Sequence, residues 1–181
     1  MLVDDLDAAE VLRWQQPMHD LYIECFSVPP WSEPEERLRA FPSRLAGHVA
    51  QPGFRSALAS EDGTLLGVCY GWPARTTRDA DPLIEQVHDA VGPAAFAEMS
   101  RNAFEVVELM VAGKARGSGL GRTLLHRVAG GCERAWLLTL KDSPAARLYQ
   151  HLGWMSKGEF DSSAGHRLVV YARENHVSVS A

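Results

Sequence analysis

The apolar positions of this chain change period several times, and each change predicts a new element. Residues 10–14, Glu-Val-Leu-Arg-Trp, read as a first strand. From Pro17 the period is helical, with Met18, Leu21, Tyr22 and Cys25 on one face and the proline in a first-turn position. Val28-Pro29-Pro30-Trp31 breaks that helix. Ser32 with Glu35 predicts a capping box for the next, whose buried stripe is Leu38, Phe41, Leu45 and Val49. Pro42 falls inside it and predicts a kink or a split, because its ring removes an internal hydrogen bond.

Pro52-Gly53 ends that segment, and strand-like runs follow. Residues 54–59 and 65–72 flank Glu61-Asp62-Gly63-Thr64 and predict a β-hairpin. Residues 75–82 are polar and loop-like. Leu83, Val87 and Val91 then recur every four positions, which predicts a helix ended by Gly92-Pro93, with a second short helix over 94–101. Residues 73–103 are too long for a connector between strands. They read either as a lid or binding element, or as packing or an oligomer contact.

Residues 104–111 are almost continuously apolar apart from Glu105 and Glu108, as a central strand covered on both faces should be. A helix opening near Arg122 follows, with Leu120, Leu124, Leu125 and Val128 on one face and Gly130-Gly131 at its end. Residues 135–140 predict another strand, and Ser143-Pro144 caps a helix that ends near Gly153. Trp154-Met155 and residues 167–173 supply the last strands, joined across the polar stretch 158–166. Strand, crossover helix and strand over 106–140 predict a right-handed βαβ unit. The pattern as a whole predicts one α+β domain over 1–181, with its core at about 10–173 and a mixed, mostly antiparallel sheet of six or seven strands.

Composition narrows the class. The 181 residues are 46% hydrophobic and 23% charged, enough for one real core. A formal net charge of −5 offers no general attraction to nucleic acid or an anionic membrane, but suits a cationic acceptor. Cys25, Cys69 and Cys132 are widely spaced and odd in number, so reduced thiols and a cytoplasmic setting are expected. The seven histidines show no ligand spacing, and no metal is expected.

Candidate chemistry centres on Arg116-Gly117-Ser118-Gly119-Leu120-Gly121, between an apolar strand and a helix. Amides at a glycine-rich helix start converge on an anion, because no Cβ blocks the approach and the helix dipole favours negative charge. The spacing is neither G-x-x-x-x-G-K-[ST] nor G-x-G-x-x-G. It is R-x-x-G-x-G, preceded by Leu109 and Val111, and so resembles the acetyl-CoA signature of the GNAT superfamily of N-acetyltransferases. Residues 143–154, Ser-Pro-Ala-Ala-Arg-Leu-Tyr-Gln-His-Leu-Gly-Trp, look like the family's second signature.

The resemblance implies an α/β/α-layered GNAT fold with acetyl-CoA as cosubstrate. It implies that Arg116, Gly117, Ser118, Gly119, Leu120, Gly121 and Arg122 surround the pyrophosphate. It implies that the backbone at Leu109, Met110 and Val111 pairs with pantetheine, and that the acetyl group sits where the fourth and fifth strands splay apart. Ser143 would contact the pantetheine and Tyr149 the thioester sulfur. Many relatives have Asn in place of Ser143, and many have Pro before the cradle, where this chain has Ala112-Gly113-Lys114-Ala115. Lys114 would add a phosphate contact. Family members often form homodimers.

Acetyl transfer to an amine needs a neutral nucleophile, and an amine of pKa near 10.4 is only about one part in 2,500 neutral at pH 7, a cost of roughly 4.6 kcal/mol. Glu105 and Glu108 are the acids on the strand beside the expected thioester, and either is a candidate base. They stand on opposite faces of a regular strand. The amide of Val111 is a candidate oxyanion donor and Tyr149 a candidate acid for the thiolate. Tyr22, Phe26 and Trp31 read as core. Asp79, Asp81, Glu85 and Asp89 read as a solvated helix face or as an attractor for a cationic amine. The acceptor is expected to be a primary amine on a small molecule or peptide. The competing reading is a non-catalytic acyl-CoA sensor or partner-binding module.

Overall fold

The computed structural model describes residues 1–76 and 81–174. Its elements are β1 (Leu2–Leu6), α1 (Ala8–Arg13), α2 (Gln15–Phe26), α3 (Glu35–Arg39), α4 (Phe41–Val49), β2 (Arg55–Glu61), β3 (Thr64–Pro73), α5 (Pro82–Val91) and α6 (Pro93–Ser100). They continue with β4 (Ala103–Val111), a 3-10 turn (Gly113–Ala115), α7 (Leu120–Ala129), β5 (Arg134–Leu140), α8 (Pro144–His151), β6 (Met155–Asp161) and β7 (Arg167–Glu174). The strands form one seven-stranded mixed sheet in the order β1-β2-β3-β4-β5-β7-β6, an α+β fold. The chain divides into two compact units, Met1–Trp72 with Val106–Gly130, and Pro73–Glu105 with Gly131–Ala181.

In the first unit the expected strand at 10–14 is replaced by a helix. Asp7 and Glu10 form a reciprocal capping box: Asp7 Oδ1 accepts from the Glu10 amide at 2.8 Å, and Glu10 Oε2 accepts from the Asp7 amide at 2.9 Å. The first strand lies earlier, at Leu2–Leu6, antiparallel to β2 with Leu6 opposite Ser56. Pro42 splits the next helix into α3 and α4, as its ring requires. The capping box expected at Ser32 does not form. Ser32 has φ +45°, the N-cap is Pro34, and no side chain caps the helix. The β2–β3 hairpin turns at Asp62 and Gly63, both at positive φ, the pattern that a two-residue turn of matching twist demands. Val11, Met18, Phe41, Leu45, Val68 and Met110 lead this unit's core.

The second unit has its own core. Ile84 and Val87 of α5 and Phe96 and Met99 of α6 bury against Trp136, Val170 and Ala172. The helical insertion thus packs one face into this core. A Cβ on Gly158 would lie 2.7 Å from the Ala90 carbonyl oxygen, so α5 and β6 meet backbone to backbone. β7 is antiparallel to both β5 and β6. The polar stretch expected as a loop from 158 is strand as far as Asp161. Lys141 and Arg167 pair with Glu159, and Arg167 also pairs with Asp161, which holds this edge strand by cross-strand charge. Residues 77–80 of the expected 75–82 loop, Asp79 among them, lie outside the described residues.

Candidate active site

The glycine run is built by the first unit. At the end of β4 the Ala112 amide donates to the Leu66 carbonyl at 2.8 Å, and the chain then enters the 3-10 turn. Glu24 Oε1 accepts from the Gly113 amide at 2.6 Å. Arg116 folds back, its Nε donating to the Val111 carbonyl at 3.0 Å and its Nη2 to Cys25 Sγ at 3.6 Å. Ser118 Oγ donates to the Ala115 carbonyl at 2.7 Å. Gly117 and Gly119 take φ +78° and +85°, which a Cβ would strain, and the space a Cβ would enter at either is empty. Gly119 is the N-cap of α7, so Leu120, Gly121 and Arg122 supply first-turn amides that lack an intrahelical acceptor. Lys114, Arg116 and Arg122 are exposed around them. Main chain, dipole and charge all suit a phosphate-bearing ligand.

Upstream, β3 and β4 approach closely at one point. A Cβ on Gly67 would stand 2.9 Å from the Met110 carbonyl oxygen and 3.0 Å from Leu124 Cδ1. Only glycine leaves room there.

Glu108 of β4 sits in a cluster that the sequence does not bring together. Burial pushes its carboxyl up to about 8; Arg44 and Arg37 oppose that rise, and Glu33 adds to it. Burial, followed by the charge of Glu108, raises the hydroxyls of Tyr22 and Tyr70 and the thiol of Cys69. Tyr22 donates its hydroxyl to Glu33 Oε2, and Arg37 Nε donates to Glu33 Oε1 at 2.9 Å. The Arg44 guanidinium lies over the Tyr22 ring, 5.0 Å from its centroid. His48 Nδ1 is 3.1 Å from the Tyr70 hydroxyl, and burial, with Arg44 beside it, draws His48 down to about 4.

The remaining predicted residues belong to the second unit. Glu105 is partly buried on β4. Ser143 is the N-cap of α8: its Oγ accepts from the Ala146 amide at 3.0 Å and lies 3.4 Å from Thr139 Oγ1. Tyr149 is buried against Trp154 and Tyr171, with ring centroids 5.8 and 6.1 Å apart.

A family model described as an acetyltransferase (GNAT) domain matches residues 55–156, more than half of the chain. The chain belongs to the GNAT acetyltransferase family. No curated protein matches the sequence. Solved structures repeat the GNAT fold at low identity. A GNAT-family protein from Desulfovibrio desulfuricans is 18% identical, with a TM-score of 0.65 over 96% of this chain and 99% of that one. An aminoglycoside 6'-acetyltransferase type Ii is 16% identical, with a TM-score of 0.64 over 96% and 97%. The PaiA N-acetyltransferase of Thermoplasma acidophilum, solved in complex with coenzyme A, is 11% identical, with a TM-score of 0.61 over 97% and 100%. These neighbours establish the fold.

Among the described residues of this GNAT protein, no helix is long and apolar enough to cross a membrane. Nor, among them, does any group of three or more His, Cys, Asp or Glu side chains form a possible metal site. Sequence reasoning missed Glu33, Arg44 and Tyr70 and assigned Tyr22 to the core. Tyr22 is in the core, 1% exposed, but its hydroxyl end belongs to the Glu108 cluster. Helical spacing reports the buried face and is silent on where a tyrosine hydroxyl ends.

Proposed function

We propose that this protein transfers an acetyl group from acetyl-CoA to a primary amine of a small molecule or peptide, by direct attack, with Glu108 as the base. The observation that carries the reading is the elevated, partly buried Glu108 carboxyl, set among Glu33, Arg37 and Arg44 in the same unit as the glycine cradle. An ordinary glutamate is about six pH units too acidic to deprotonate an ammonium efficiently. With its carboxyl near 8, Glu108 closes more than half of that gap. The amine nitrogen bonds to the acetyl carbon as its proton passes to Glu108. The carbon–sulfur bond then breaks, and the departing thiolate takes up the second proton that the amine nitrogen loses, so that free coenzyme A thiol is released. The amides of 117–122 hold the pyrophosphate, with Lys114, Arg116 and Arg122 adding charge. Met110 and Val111 face the pantetheine, and Ser143 acts chiefly by capping α8.

The test is an amine panel with acetyl-CoA, read by release of free thiol. Turnover is expected with at least one amine, and Glu108→Gln should lower it by about 100- to 10,000-fold, the usual range for a lost general base. Gly119→Glu should abolish stabilisation by acetyl-CoA, because an added carboxylate enters the space left for the phosphates. Unchanged turnover in Glu108→Gln removes Glu108 as base. Full acetyl-CoA stabilisation of Gly119→Glu overturns the cradle. Turnover of no amine, with acetyl-CoA binding intact, returns the sensor reading.

A further inference from the structure

A cleft of 420 Å³ lies wholly within the second unit, walled by α6, the starts of β5 and β6 and the end of β7. That volume is in the range of small-molecule sites. Its charged groups are unequally satisfied. Arg134 is occupied, with Nη1 2.6 Å from Glu133 and Nε 3.4 Å from Glu174. Arg173 stacks over the Trp154 ring, Cζ 5.3 Å from the centroid, and its Nε is buried with no hydrogen-bond partner. Among the described residues no carboxylate pairs with Arg173 or with Lys157, which also lines the cleft. Burial pulls the Arg173 guanidinium below its ordinary range, with Cys132 nearby opposing the fall.

A half-buried guanidinium without an anion is an unmet electrostatic need. Stacking on Trp154 fixes its plane, and a planar guanidinium held in one orientation matches a carboxylate edge on. Two other features narrow the ligand. Glu98, on the same wall and unpaired among the described residues, opposes a ligand of high negative charge. Met99, Met155 and Ala172 supply apolar surface, and Met155 is 64% exposed there.

We propose that this cleft is a second ligand site, which binds a small organic monocarboxylate through Arg173 and Lys157 with its apolar body against Met99 and Met155. The site is independent of the acetyl-transfer reading. It is tested by titrating benzoate, benzamide and inorganic phosphate in turn into the isotopically labelled protein and following backbone amide shifts. Benzoate should give saturable shifts concentrated at residues 95–99, 134–135, 153–157 and 172–174. Neutral benzamide and phosphate, which lacks an apolar body, should each bind at least about tenfold more weakly. Arg173→Gln and Lys157→Gln should each weaken benzoate by about tenfold or more with the melting temperature preserved. Lys157 is exposed, so its variant keeps the test decisive if Arg173→Gln fails to fold. The proposal is overturned by shifts centred elsewhere, by no saturable shift, by benzamide or phosphate matching benzoate, or by wild-type affinity in the Lys157 variant.

Discussion

Replacing Glu108 by glutamine should make the protein more stable, and increasingly so as pH rises. The native carboxyl titrates near 8 against an ordinary value of 4.5, so between these limits the native state holds a proton that the unfolded chain has released. Stability then falls as pH rises through that window, by linkage. Converted at about 1.4 kcal/mol per pH unit, the displacement gives an upper bound of about 5 kcal/mol. Because Glu108 is only partly buried, solvent relaxation reduces this to about 2–3 kcal/mol. Glutamine keeps the shape and cannot ionise. For a chain of this size the variant should gain about 4–10 °C over wild type by pH 9, and much less at pH 5. Circular dichroism melts of both proteins across that pH range measure the difference. A gap that stays constant with pH, or widens toward acid, would refute an elevated carboxyl, and with it the case for Glu108 as base.

Gly67→Ala should cost about 1–3 kcal/mol by overpacking, since the Met110 carbonyl cannot swing away as a side-chain tip could; calorimetry showing no loss would mean that the strands separate easily. Gly119→Ala meets empty space, so its cost is limited to the positive φ, about 1–2 kcal/mol, and acetyl-CoA stabilisation should largely persist, unlike that of Gly119→Glu. A drop much larger than this would show that the loop tolerates no Cβ at all. His48 is held neutral down to about 4 while the unfolded chain protonates near 6.5, so wild type should lose stability as pH falls across that window. His48→Gln should flatten this acid limb in equilibrium unfolding, and an unchanged limb would place the loss in other groups.

The hairpin, the insertion helices, the glycine run and the Ser143 cap were legible because each is a local signal. A turn, a helix stop or a cap is decided by residues within a few positions of one another. Failures came where distant partners decide. Ser32 looks like a cap, yet Glu33 beside it is claimed by Tyr22 and Arg37, and the backbone at Ser32 turns to positive φ. Residues 155–161 look too polar for a strand until Lys141 and Arg167 are set across from them. The shift of the first strand to Leu2–Leu6 is a different kind of miss, because Asp7-Ala-Ala-Glu10 is a capping signal available in the sequence. Alternation left Glu105 and Glu108 as equals. The groups around Glu108 come from α2, α3, α4, β3 and the segment before α3, and no spacing rule links them.

The anchoring of Arg116 has a consequence for when the donor site comes into being. Its partner Cys25 is 91 positions away in the chain, and both converge on the Val111 carbonyl. The final shape of the loop therefore depends on α2 lying against β4, a contact between segments far apart in sequence. A synthetic peptide of residues 103–130 would carry every glycine of the motif and still lack the cradle. On the proposed reading, phosphate recognition is a property acquired by the folded unit, and a slow step in docking α2 would appear as a lag between collapse and the first stabilisation by acetyl-CoA.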